Sequence, residues 1–149
     1  MTISTISTQN VGTITTTITV SNFEDEVLAT HGFMPSSQIR SITINDAVVR
    51  TRTNLFCLPA DVIAKLGLPF VEEIEVKTAT GIRTVRLFKH VSLRVQGREA
   101  LSRCIELSEG ESAILGMIQL EELGLKLDID NQQLIVLPDT GKDTYHLAY

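Results

Sequence analysis

The side chains that could do chemistry in this chain are few and scattered. Cys57 and Cys104 stand far apart with no Cys-x-x-Cys, so their spacing signals neither a disulfide framework nor a cysteine zinc site. His31, His90 and His146 show no His-x-x-x-His or Glu-His pairing, which implies no metal-ligand set, and no cofactor motif is present. Cys57 lies among Leu55, Phe56 and Leu58, the setting of a small buried hydrophobe more than of a thiolate nucleophile partnered by histidine.

Charge carries more pattern. Lys77, Arg83, Arg86, Lys89, Arg94, Arg98 and Arg103 meet Glu99 alone, whereas the stretch from Glu106 to Asp130 holds seven acids against Lys126. Around Val91, residues Arg86, His90, Arg94 and Arg98 are expected to share one strand face, with Arg50 and Arg52 nearby. The plain reading is a solvated sheet face. The sharper one is a docking face for an acidic partner, or self-association of the basic strip with the acidic segment.

The elements that would position these groups are mostly short strands. Thr13 to Val20 is rich in β-branched residues, with Ile14, Ile18 and Val20 on one face, and reads as a strand at an edge or a subunit contact. Ser21 and Asn22 can cap a short helix that has Glu24, Asp25 and Glu26 in its first turn and stops by Gly32 and Pro35. Two strands fit Ile39 to Val49, turning at Asn45-Asp46, and Pro59 opens a helix closed by Gly67. Strands Glu73 to Lys77 and Ile82 to Phe88 flank Thr78-Ala79-Thr80-Gly81 as a projecting hairpin. Further strands are expected from Lys89 to Arg98 and from Ala100 to Leu107. Ala113 to Gly116 then leads into a helix ended by Gly124, and a hairpin turns at Asn131-Gln132. Leu66-Gly67-Leu68 after one helix is echoed by Leu123-Gly124-Leu125 after the other. Taken alone the echo decides little, because such a stop signal is common.

With 149 residues, the chain has the length of one domain with its own core. Its 43% hydrophobic and 21% charged residues are ordinary globular usage, which argues against disorder and coiled coil. No Trp occurs, aromatics are 5% and the net charge is −5, all of which count against nucleic acid as a partner. The first 23 residues carry no charged side chain and are Thr-rich, unlike a secretory signal, and no apolar run is long enough for a membrane span. A reduced, cytoplasmic setting without membrane contact is the expectation.

The echo belongs to a longer pattern. Val48-Val49-Arg50-Thr51-Arg52-Thr53-Asn54-Leu55-Phe56-Cys57-Leu58-Pro59, Lys65-Leu66-Gly67-Leu68, Ile114-Leu115-Gly116-Met117 and Leu123-Gly124-Leu125 follow one another in order. This resembles the retropepsin-like family of single-lobe aspartic proteases, in which apolar residues lead into Asp-Thr-Gly-Ala. There, a flap hairpin and an apolar-apolar-Gly motif follow. The resemblance implies a mostly β fold, a closed retropepsin-like acid-protease barrel with two short helices, over residues 39–138. An N-terminal extension of one strand and one helix (1–38) would precede it, and a polar tail (139–149) would follow.

The same resemblance places the catalytic Asp on Arg50, the Thr on Thr51, the Gly on Arg52 and the next residue on Thr53. A guanidinium can neither take a proton from water nor give one up at working pH. Asp46 and Asp61 do not fall at the apex of that loop, and Asp139-Thr140-Gly141, which spells the family's tripeptide, follows Pro138 where an apolar strand should be. The expectation is therefore no catalytic residue and a proteolytically inactive protein that binds another protein or a peptide. Its binding residues would be Arg50, Arg52 and Asn54 with the flap-like Thr78, Ala79, Thr80 and Gly81. Thr51 stands where the family's hydroxyl helps lock two subunits together.

As partners, a homodimer or another protein is implied, with an acidic peptide or anion near Arg50. Two Arg50 groups at a dimer axis repel unless an anion lies between them. A rearranged dimer, a monomer, an anion-clamping dimer or a heterodimer with an intact homologue thus remain open. The rival readings are a divergent peptidase using a non-standard residue such as Cys57 or Asp139, and a structural subunit of a larger assembly.

Overall fold

A computed structural model of the chain describes residues 13–138; residues 1–12 and the tail from Asp139, with Asp139-Thr140-Gly141 and His146, lie outside the described residues. The described chain is mostly β. Its order is β1 (Ile14–Asn22), α1 (Phe23–Thr30), a 3-10 turn (Ser36–Gln38), β2 (Ser41–Val49), β3 (Cys57–Pro59), α2 (Ala60–Leu66), β4 (Phe70–Thr78) and β5 (Gly81–Val95). β6 (Arg98–Leu107), β7 (Ile114–Leu115), α3 (Met117–Leu123), β8 (Leu125–Asp128) and β9 (Gln133–Val136) complete it. No helix among the described residues is long and apolar enough to cross a membrane.

The strands β1-β2-β7-β3-β6-β5 lie side by side, and β5 returns to pair with β1, so the sheet closes into a ring. β4 continues outward from β5 and has no partner on its other side among the described residues. Inside the ring, Ile18, Val20, Leu58, Val91, Leu93 and Leu115 are fully buried together, with Leu66 of α2 and Leu120 and Leu123 of α3. Each such side chain contributes about 1.5–3 kcal/mol by leaving water. A smaller cluster, Cys57, Leu87 and Ile105, lies between the ring and β4 and is bordered by half-buried Leu55, Ile74, Val76 and Val85. β8 and β9 form a separate two-stranded sheet.

Ile14, Ile18 and Val20 do share the buried face of β1, but the strand is not an edge. It pairs with β2 from Ile14 to Ser21 and with β5 from Thr19 to Asn22. Alternating Thr and apolar residues report which face meets water, and say nothing of whether the strand's sides are hydrogen-bonded. Nor do Asn45 and Asp46 turn the chain: β2 is one strand, and the register steps from Thr16↔Ala47 to Ile18↔Ile44. Two residues there oppose Thr17 alone, so these turn-forming types occupy a bulge.

The two strands expected across Lys89 are also one, β5, fifteen residues long. Its register against β6 steps from Phe88↔Cys104 to Val91↔Ser102. At that step the phase that faces the main core changes, from Phe88 before the bulge to Val91, Leu93 and Val95 after it. The change of phase produces the apparent break in the sequence pattern.

Candidate functional site

Where β2 ends, Val48 N donates to Ala113 O (2.8 Å) and Arg50 N to Leu115 O (3.0 Å). The end of β2 therefore runs parallel to β7, with Val49 beside Leu115. Beyond Val49 the chain leaves the sheet, and Arg50, Thr51 and Arg52 are exposed. Thr53 fixes the way back: its carbonyl accepts from Met117 N (2.8 Å) and its Oγ1 from Leu55 N (3.1 Å). Gly116 lies directly beneath, where a Cβ would stand 2.7 Å from Leu55 O and 2.8 Å from Thr53 O. Only glycine leaves room for this backbone crossing. The apolar-apolar-Gly pattern of the sequence thus supports the loop that carries the arginines.

Opposite this loop stands the β4–β5 hairpin. Thr78 faces Gly81 across the turn, its Oγ1 donates to Gly81 O (2.8 Å), and Thr80 N donates to that same Oγ1 (3.3 Å). Gly81 has φ +131°, a conformation other residues resist. Loop and hairpin enclose a cleft of about 390 Å³. Its rim carries Arg50 and Arg52 from the loop and Lys77 and Arg83 from the hairpin, and its floor includes Leu55, Val76, Val85, Leu107 and Ile114.

Of the residues expected to bind, Arg50, Arg52, Thr78 and Ala79 line this cleft, while Thr80 and Gly81 form the hairpin's end beyond it. Thr51 lines a different hollow, and Asn54 opens onto a second groove of about 580 Å³ with Glu72, His90, Arg103 and Glu122. The two grooves share Leu55 and Ile105. Lys77 and Arg83 were counted in the basic run of the sequence but not among the expected binding residues. The available signal was their placement on either side of the hairpin turn, which brings both toward the loop.

The basic strip expected on β5 does not act as one surface. Arg86 lies over the rings of Phe70 and Phe88 (5.0 and 5.1 Å) and 3.7 Å from Glu106. Arg94 pairs with Glu26 and Glu99. Arg98 donates to the carbonyls of Leu123 and Leu137, and His90 meets Phe23 edge-on. By contrast, Arg50, Arg52, Lys77 and Arg83 have no ion-pair partner among the described residues, and no carboxylate lines their cleft.

Neither thiol is poised for attack. Burial pushes Cys57 up to about 11, against a smaller opposing pull from Arg50, and burial pushes Cys104 up to about 12. Both stay protonated at neutral pH, and the thiol is a poor nucleophile. Asp46 sits exposed in the β2 bulge and Asp61 in the first turn of α2; neither lines the cleft. Among the described residues, no three of His, Cys, Asp and Glu are grouped to hold a metal ion. The arrangement can hold carboxylates or other anions above an apolar floor, and it contains no acid–base pair.

The sequence matches no protein-family model and no curated protein.

Proposed function

We propose that this chain is a proteolytically inactive, retropepsin-like protein that binds an extended acidic segment of another polypeptide in the cleft between Arg50–Thr53 and the β4–β5 hairpin. The observation that carries the reading is the pairing of four cations, without an ion-pair partner among the described residues, with an apolar floor. Arginine occupies the position where the resemblance would put the catalytic aspartate. A peptide alternating acidic and aliphatic residues places carboxylates on the rim and side chains on the floor, since successive residues of a strand point to opposite sides. The open side of β4 offers backbone groups for strand addition. The raised Cys57 thiol weighs against the rival reading of a cysteine-based peptidase.

The test is fluorescence anisotropy with a labelled synthetic peptide alternating Glu and Val, beside a control in which Lys replaces Glu. The acidic peptide binds, the basic one does not, and Arg83→Glu weakens binding about tenfold or more. Equal binding of the two peptides overturns the reading. So does hydrolysis of unfolded protein by the purified chain, if Cys57→Ala or Asp139→Ala abolishes it.

A further inference from the structure

The groove of about 580 Å³ borders the cationic cleft at Leu55 and Ile105 and differs from it in chemistry. β6 presents Leu101, Arg103 and Ile105 along one face, since alternate residues of a strand share a side. Ile118, Gln119 and Glu122 of α3 line the groove as well, and β4 contributes Glu72. Gln119 is the unusual member. It is only 5% exposed, and its Oε1 accepts from Gly116 N (3.2 Å), which fixes the orientation of the amide. Its Nε2 has no hydrogen-bond partner among the described residues and is left to face the groove that the residue lines. A donor so nearly buried calls for an acceptor. Glu72, Glu122 and Arg103 have no ion-pair partner among the described residues either.

We propose that this groove is a second site, which binds a short apolar peptide with free ends, a tripeptide in extended form. The sheet register sets the length. Glu72 faces Leu87 and Leu87 faces Ile105, so Glu72 stands two strands away from β6, and Arg103 lies two residues from Ile105 along β6. At about 4.8 Å between strands and about 3.4 Å per residue, Glu72 and Arg103 are about 12 Å apart at Cα. An extended tripeptide is about 10 Å long. Its ammonium meets Glu72 and its carboxylate meets Arg103. The first and third side chains point the same way, toward Leu87, Leu101, Ile105 and Ile118, and Gln119 Nε2 donates to a carbonyl between the ends. The volume suits a ligand of this size. Glu72 and Glu122 against Arg103 alone give the groove a net negative rim, which turns away the acidic segment that the cleft attracts. The inference goes beyond the cleft reading and uses none of the cleft's four cations.

Titration of the full, nitrogen-15-labelled chain with the tripeptide Leu-Ala-Leu, followed by NMR, tests it. Amide shifts change along 101–105 and 118–122, and blocking either end of the tripeptide, by N-acetylation or C-amidation, weakens binding about tenfold. Glu72→Gln removes the penalty of acetylation and Arg103→Gln that of amidation, because the end concerned has already lost its partner. Both residues are exposed, so neither change touches the core. Gln119→Glu keeps the acceptor for Gly116 N, loses the donor and weakens the tripeptide, with circular dichroism separating lost binding from lost folding. Absence of shifts with Leu-Ala-Leu, or shifts confined to the cleft at 50–53 and 76–79, overturns the proposal. So does equal binding of the free and the blocked tripeptides. The two readings fail separately, since Arg83→Glu weakens the acidic segment in the cleft and leaves Leu-Ala-Leu binding unchanged. A chain that binds the tripeptide but no acidic segment keeps the groove and loses the cleft; the opposite pattern keeps the cleft and overturns the groove.

Discussion

Two helix ends in this molecule are built to the same plan and held by different forces. α2 stops at Gly67 (φ +64°) and α3 at Gly124 (φ +70°), both in the left-handed region. At each glycine an arginine occupies the space a side chain would need: a Cβ would overlap the Arg40 guanidinium at Gly67 and come 2.5 Å from Arg98 Nη1 at Gly124. Arg40 is neutralised. Asp25, 3% exposed, accepts from its Nε (2.9 Å), its Nη2 (3.0 Å) and its backbone N (3.0 Å). Among the described residues Arg98 has only carbonyl oxygens, those of Leu123 (3.3 Å) and Leu137. One arginine ties α1 to the ring through charge, and the other ties the β8–β9 hairpin through dipoles. Equivalent glycine stops therefore differ in strength and in their response to pH.

The largest expected effect follows from breaking the charged tie. Arg40→Ala leaves the Asp25 carboxylate buried without its cation and costs about 3 kcal/mol in denaturant unfolding. Asp25→Ala costs less, about 2 kcal/mol, because the Arg40 side chain is half exposed and regains water. An Arg98→Ala variant as damaging as Arg40→Ala would show that charge is not what separates the two ends.

Next in size is Gly67→Ala against Gly124→Ala. Each forces a side chain into a left-handed position, for about 1–2 kcal/mol. At Gly67 the new methyl must also displace Arg40 from Asp25, so that variant is the more damaging by about 1 kcal/mol. In an Arg40→Ala background the excess disappears, because the group that was in the way is gone. A double-mutant cycle by chemical denaturation measures this, and strict additivity would break the comparison.

The resemblance of the two ends was legible as Leu-Gly-Leu following each helix, and so were both glycine stops, since a helix followed by left-handed backbone leaves a short, local signature. The arginines were not. Arg40 reaches Gly67 and Asp25 only after β1, α1 and β2 have packed, and nothing in local spacing records that meeting. Asp25 looked like an ordinary first-turn acid beside Glu24 and Glu26; its burial is a tertiary fact. The same limit governs the cleft. Arg50 and Arg52 stood out because they occupy a patterned loop, and Thr78 to Gly81 because Gly marks a turn. Lys77 and Arg83 were lost in a basic run whose other members are paired elsewhere. The strands were over-divided at Asn45-Asp46 and at Lys89, where bulges shift register while the chain stays extended.

Acid separates the two ends by a smaller amount. The Arg40 hydrogen bonds hold the Asp25 carboxyl below the usual carboxylate range, against an opposing push from burial. With the folded value depressed, the stabilisation is present above the unfolded carboxylate value of about 3.9. It is lost as pH falls through the folded value. Thermal unfolding followed downward through this window shows the wild type losing more stability than Asp25→Asn. Parallel curves for the two would remove Asp25 from the account.

The smallest global effect is expected at Arg98. Arg98→Ala removes two charge-assisted hydrogen bonds to carbonyls, but the freed Leu137 carbonyl is exposed and regains water, so unfolding changes by only about 1 kcal/mol. The loss is local. Leu137 N still donates to Gly124 O (2.9 Å), yet the last turn of α3 and the end of β9 are no longer joined through one side chain. Amide exchange in Leu125–Asp128 and Gln133–Val136 accelerates while exchange in Val91–Val95 does not. Arg40→Ala, compared at a temperature where both variants remain folded, leaves exchange in that hairpin near wild type. If Arg98→Ala leaves exchange in the hairpin unchanged, Arg98 does not anchor it, and the contrast between the two arginines is one of stability alone.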